Sequence, residues 1–136
     1  MAETLKLEIV TPQATAFSED VDMVTLPAVE GQIGVYPNHV HLMTQIVPGE
    51  LIVTKDGADR LLAVGEGLVE ITAQRVSIIT DMAIEAAHID EAKVEEARAR
   101  AAARLREKIS DEEVASVNAS LARSLAQLQV KRRRRM

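Results

Sequence analysis

The stretch EGQIGVYPNHVHLM, Glu30 to Met43, decides between two kinds of protein. It lies in a run of nineteen residues without an acidic or basic side chain, Gly31 to Gly49, inside a chain that is 27% charged overall. Such a run raises the possibility of a membrane helix, which needs about twenty mainly apolar residues. Here Gly31, Gly34, Pro37 and Pro48 would interrupt the helix repeatedly, and lipid offers no partners to the backbone groups that breaks set free. The run therefore reads as a loop-rich surface or a set of short strands.

The flanking sequence supports strands. From Thr4 to about Ala86 the apolar period is two. TLKLEIV places Leu5, Leu7 and Ile9 on one face and Thr4, Lys6 and Glu8 on the other, and DVDMVTL, LIVTK, DRLLAV, LVEIT and RVSIIT follow. Turn signals stand between them at Pro27, Pro37–Asn38, Pro48–Gly49, Asp56–Gly57 and Gly65–Glu66–Gly67. Asp-Gly between β-rich runs is a strong hairpin cue. Many short strands at this spacing predict an all-β sandwich or barrel over residues 1–86.

After Ala87 the pattern changes. IDEAKVEEARARAAARLREKI is rich in strong helix formers, and Val94, Ala97, Ala101, Leu105 and Ile109 share one helix face. SDEE then restarts a helix: Ser110 can accept from the amide of Glu113 while Glu113 reaches back. Val114, Val117, Leu121, Leu125 and Leu128 form the matching stripe. The expectation for residues 87–136 is an antiparallel α-helical hairpin with a tight turn near Lys108–Asp111. Two helices of about twenty residues bury little area, so the hairpin should be stable only when docked. A rigid β-domain carrying a movable arm follows from that.

Charge divides the chain at the same place. Residues 1–86 hold four basic and thirteen acidic residues, a net −9, whereas residues 87–136 hold twelve and eight, a net +4. Several functions are disfavoured. Without cysteine there is neither a disulfide framework nor a thiolate zinc site. His39 and His41 would point the same way on a strand, but zinc needs three or four ligands and His88 is distant in the chain, so no metal is expected. Neither a nucleophile elbow nor a glycine-rich phosphate loop occurs, which argues against an enzyme and leaves no catalytic residues to name. One Phe, one Tyr and no Trp offer little for bases to stack on. The terminal KRRRR, Lys131 to Arg135, reads as a disordered end that complements the helix dipole rather than as a nucleic-acid motif. The start, MAETLKLEIV, lacks a basic region followed by an apolar core, so an intracellular, soluble chain is expected.

LPAVEGQIGVYPNHVHL, Leu26 to Leu42, resembles the signature of the epsilon subunits of F-type ATP synthases, L-P-x-x-x-G-x-I/L-G-V-x-P-N/G-H-A-P-L. The resemblance extends over the chain, from LKLEIVTP through IDEAKVEEA and the hairpin. It implies a non-catalytic subunit of the central rotor stalk, with a β-sandwich that binds gamma and rests on the c-ring. It also implies a C-terminal arm that folds on the sandwich or extends into the catalytic alpha/beta head and restrains ATP hydrolysis. Gln32, Gly34 and His39 match the family's contact loop, although Val40 and His41 replace the usual Ala-Pro. Some members bind ATP through a pattern like I/L-D-x-x-R-A. Ile89 and Asp90 match it, but Lys93 and Val94 replace Arg-Ala, and Lys offers a point charge where Arg offers a planar fork of donors. Weak or no nucleotide binding is expected, hence no cofactor. Arg98, Arg100 and Arg104 make the arm basic and would exchange between the acidic sandwich and acidic loops of the head. The implied location is peripheral, on the cytoplasmic face of a bacterial inner membrane or the stromal face of a thylakoid, with membrane contact only through the complex. A free-standing β-domain adaptor with a helical interaction arm is the alternative.

Overall fold

The alternation of apolar and polar residues becomes ten short strands in the computed structural model, which describes residues 3–134. They are β1 (Leu5–Val10), β2 (Thr15–Val21), β3 (Met23–Ala28), β4 (Gly31–Val35), β5 (Leu42–Ile46), β6 (Gly49–Lys55), β7 (Ala58–Val64), β8 (Gly67–Ile71), β9 (Arg75–Thr80) and β10 (Ala83–Glu85). They hydrogen-bond in the order β10-β7-β6-β3-β5-β8-β9-β1-β2, with β4 added on β3. Every pairing is antiparallel except β1 with β9, where Lys6 lies opposite Arg75 and Val10 opposite Ile79. The sheet curls over one core that takes Leu5, Leu7 and Ile9 from β1, Leu51 and Val53 from β6, Leu62 and Val64 from β7, and Ile71, Val76 and Ile78 from β8 and β9. This is the predicted sandwich.

Local chemistry explains the turns. Lys55 pairs with Ala58 across a two-residue connection, and Asp56 and Gly57 both take positive φ, 52° and 78°. A hairpin turn of this kind suits the right-handed twist of its strands and favours Asp-Gly. The DVDMVTL run is not one strand. Asp22 separates β2 from β3, donates its amide to the Thr54 carbonyl at 2.9 Å and accepts from the Asp56 amide at 2.8 Å. Its side chain thus ties the corner to the β6–β7 turn.

A 3-10 turn, Ala86–His88, leads into α1 (Glu91–Leu105) and α2 (Asp111–Arg134). Asp90 caps α1 by accepting from the Lys93 amide at 3.2 Å, and Ser110 caps α2 by accepting from the Glu113 amide at 3.2 Å. The expected reciprocal bond is replaced: Glu113 instead meets Arg104 of α1. The hairpin forms, but its arms are unequal. At 1.5 Å per residue, α1 is about 22 Å long and α2 about 36 Å. Ile109 consequently lies in the connection rather than on α1. Lys131 to Arg134 form the last turn of α2 instead of a disordered end, and Arg135 lies outside the described residues.

The long helix lies on the sheet. Ala126, Leu128 and Val130 form a second core with Ala63, Met82, Ala86, Ile89 and Val94, joined by Leu61 and Ile84. Strands β6 and β7 are therefore covered on both faces, which is why Leu61 to Val64 break the period of two. The stripe expected on α2 holds at Leu128 but fails at Leu125, which is half exposed. The sheet, not α1, selects the buried side of this helix's C-terminal half.

Candidate functional site

Two surfaces concentrate the features that could carry function. The first is the outer face of the sandwich. Outward positions on a strand recur every second residue, and the register brings Val10, Ile79, Leu68 and Gln45 into one lateral row across β1, β9, β8 and β5. Ile79 is 66% exposed and Leu68 51%, with Met43 at 62% one step along β5. Tyr36 and Val40, in the connection from β4 to β5, are also exposed. Apolar side chains grouped on one face, rimmed by Glu70 and Arg75, mark an association surface rather than a solvated one.

Gln32 and Gly34 sit on β4 opposite Pro27 and Thr25, and both are exposed. A Cβ on Gly34 would approach Met23 Cε to 2.8 Å, so glycine keeps that strand close to its neighbour's side chain. His39 lies in the connection after β4, where its Nδ1–H donates to the Val40 carbonyl at 2.6 Å. His41 does not share a ligand with it: its Nε2 faces Glu70 at 3.1 Å. Among the described residues no three His, Asp or Glu side chains gather as metal ligands. No described helix is long and apolar enough to cross a membrane.

The second surface is the seam between α2 and the sheet. Its apolar centre is flanked by polar ties: Arg123 to Asp81 at 3.1 Å, Gln127 to Met82 Sδ at 3.2 Å, and Lys131 Nζ to the Ala86 carbonyl at 3.2 Å. Arg132 bridges Glu91 and Glu95 of α1, each at 3.2 Å. Arg133 pairs with Glu50 of β6. Glu50 is only 7% exposed, and its burial pushes the carboxyl above its ordinary range, an effect that the Arg133 charge offsets in part. Nearby, burial pulls Arg60 down, but the hydrogen bonds and charges of Glu85 and Glu19 together raise it, and its guanidinium also lies over the Phe17 ring.

The basic residues singled out on α1 do not reach the sandwich. Arg98 binds Glu95, Arg100 meets Glu96 at 3.4 Å, and Arg104 joins Glu107 and Glu113. The hydrogen bond from Arg98 holds Glu95 below the usual carboxylate range. The acidic partner on the sheet meets α2 instead, through Arg123 and Arg133. In the nucleotide-like stretch, Ile89 is buried in the second core, Asp90 is the α1 cap and Lys93 is exposed. Sequence reasoning missed Glu50, Asp81 and the Leu68–Ile79 pair. The four-residue run Leu61–Leu62–Ala63–Val64, too apolar for a half-exposed strand, was the available signal for a covered second face.

Comparison with known proteins fits both halves. The model of the ATP synthase delta/epsilon chain beta-sandwich domain matches residues 4–86, and that of the delta/epsilon chain long alpha-helix domain matches residues 88–132. The ATP synthase epsilon chain of Herpetosiphon aurantiacus is 40% identical over 131 residues, covering 96% of each chain. ATP synthase epsilon chain 2 of Syntrophotalea carbinolica is 41% identical over 131 residues, covering 96% of this chain and 95% of that one. In fold, the chain is similar to one in the cryo-EM structure of the Euglena gracilis mitochondrial ATP synthase OSCP/F1/c-ring assembly. The TM-score is 0.75 at 22% identity, over 93% of this chain and 79% of that one. A sandwich and a helical region matched in order, with near-complete coverage of full-length relatives, place the chain in one family: it belongs to the ATP synthase delta/epsilon chains.

Proposed function

We propose that this chain is a non-catalytic subunit of the central stalk of an F-type ATP synthase, joining gamma to the c-ring while protons drive synthesis. The observation that carries the reading is the pair of exposed side chains Ile79 and Leu68, with half-buried Val10 in the same row and exposed Met43 beside it, an apolar face that the chain's own arm leaves uncovered. Gamma would cover this face. Gln32, Gly34 and His39 would lie at the contact with gamma and the ring. Residues 1–86 act as the docking unit and residues 87–136 as the arm, which restrains ATP hydrolysis when it reaches the alpha/beta head. Arg98, Arg100 and Arg104 would then exchange their partners within the hairpin for acidic loops of the head. The subunit is peripheral to the membrane, and the bacterial relatives favour the cytoplasmic face of an inner membrane.

The test is ATP hydrolysis and gamma binding by the host complex with the full chain and with a chain ending at residue 86. Deletion should raise hydrolysis and preserve gamma binding. Unchanged hydrolysis removes the inhibitory arm from the proposal, and loss of gamma binding removes the two-unit reading.

A further inference from the structure

Among the described residues Glu50 is the one charged side chain that is buried, and it lies beneath the end of α2. Its neighbours on β6, Leu51 and Val53, point into the sandwich core, so Glu50 points the other way, at the docked arm. One carboxylate oxygen meets Arg133, and Oε2 has no hydrogen-bond partner among the described residues. Of Lys131, Arg132 and Arg133, it is Arg133 that reaches Glu50; Lys131 is turned to the Ala86 carbonyl and Arg132 to α1. The apolar part of the seam combines Ala63, Ala86 and Ala126 with Met82, Ile89, Leu128 and Val130, and Glu50 is the charged group set at its edge.

We propose that Glu50 is a conditional lock: it disfavours docking of the arm unless α2 is seated with Arg133 in place. The physical basis is an asymmetry. A buried ion pair adds little net stability over an apolar pair of similar volume, whereas removing one partner leaves an uncompensated buried charge and is strongly destabilising. A helix seated one turn out of place would cover Glu50 without Arg133. The Glu50–Arg133 pair therefore acts less as an attraction than as a penalty on every other docked register. This rests on the reading of residues 87–136 as an arm that leaves the sheet. It adds the residues that set when the arm does so.

The chain has no cysteine, so two can be introduced for spin labels, at exposed Ala58 on β7 and exposed Gln129 on α2. A docked arm gives one narrow distance and a released arm a broad distribution. In the isolated full-length chain, Arg133→Ala should raise the released fraction about tenfold, since the guanidinium is half exposed and its loss is partly screened. Glu50→Leu, and Glu50→Gln with the same sign, should lower it. The decisive variant is Glu50→Leu with Arg133→Ala, which should return to the parent's released fraction or below it. If that double variant is as released as Arg133→Ala alone, Arg133 acts through general attraction to an acidic sandwich and the lock is refuted. An unchanged Arg133→Ala refutes it as well. The measurement needs no ATP synthase, so its failure is distinct from a failure of the hydrolysis test.

Discussion

Leu128→Ala should separate the arm from the sandwich. Leu128 is 2% exposed and belongs to the second core, with Ala63, Met82, Ala86, Ile89, Val94, Ala126 and Val130. Losing its methine and two methyl groups costs about 0.8 kcal/mol per buried carbon, to which any cavity left behind adds. We expect a loss of about 2–3 kcal/mol, toward the lower end of measured Leu→Ala effects. That corresponds to a roughly 30- to 150-fold rise in arm opening, at tenfold per 1.4 kcal/mol. Amide hydrogen exchange is the assay, because it reports each element by itself. Amides of residues 124–130 should lose protection by that factor, while those of Leu7 in β1 and Ile78 in β9, which belong to the first core, keep theirs. Equal loss in α2, β1 and β9 would refute the reasoning, since the two cores would then open as one unit. No loss anywhere would show that Leu128 does not hold the arm.

Gly65→Ala should weaken a different tie. Its Cβ would come within 1.8 Å of Asp81 Oδ1, so the carboxylate must move away from Arg123. The pair is partly exposed, so losing it should weaken docking by at most about 1 kcal/mol. Adding Asp81→Ala to Gly65→Ala should relieve the clash and raise thermal stability above that of Gly65→Ala alone; no recovery would contradict the geometry. Acidity should favour docking. Glu50 has a raised value in the docked state, so its unfavourable contribution to docking disappears as pH falls from neutrality toward its ordinary 4.5. The cation that faces it from α2 is Arg133. The released fraction measured by the spin-label pair should fall over this range, and Glu50→Gln should abolish the fall. A parent profile that stays flat or rises would count against the assignment.

Much of the fold is legible because it rests on local chemistry. Leu5, Leu7 and Ile9 alternate because one face of β1 is wet, and Asp56–Gly57 are a turn because both need positive φ. Ser110 announces the start of α2 by offering an oxygen to an unpaired amide, and Asp90, which the sequence suggests only as part of a nucleotide-like stretch, does the same for α1. What the sequence conceals is long-range. Glu50 in GELIV reads as an ordinary outward-facing carboxylate, and only the arrival of a helix 83 residues later makes it buried. Leu125 fits a stripe shared with α1, yet α2 turns another side to the sheet. The five contiguous cations at the end of the chain have no period to reveal that Lys131, Arg132 and Arg133 each find a different partner.

The parallel pairing of β1 with β9 has a consequence in time. A chain leaving the ribosome makes β1 first, but the neighbour that closes its inner edge, Arg75 opposite Lys6, comes 69 residues later. Until β9 emerges, Leu5, Leu7 and Ile9 can share only a hairpin with β2, and a two-stranded hairpin is marginal in water. Closing so long a loop has an entropic cost before any contact is gained, which places the sandwich among slowly folding topologies. The helices are synthesised after that closing strand. When α2 appears, the sheet on which it will lie can already be complete, so the order of synthesis favours an arm that meets a finished surface instead of one that could be trapped inside it.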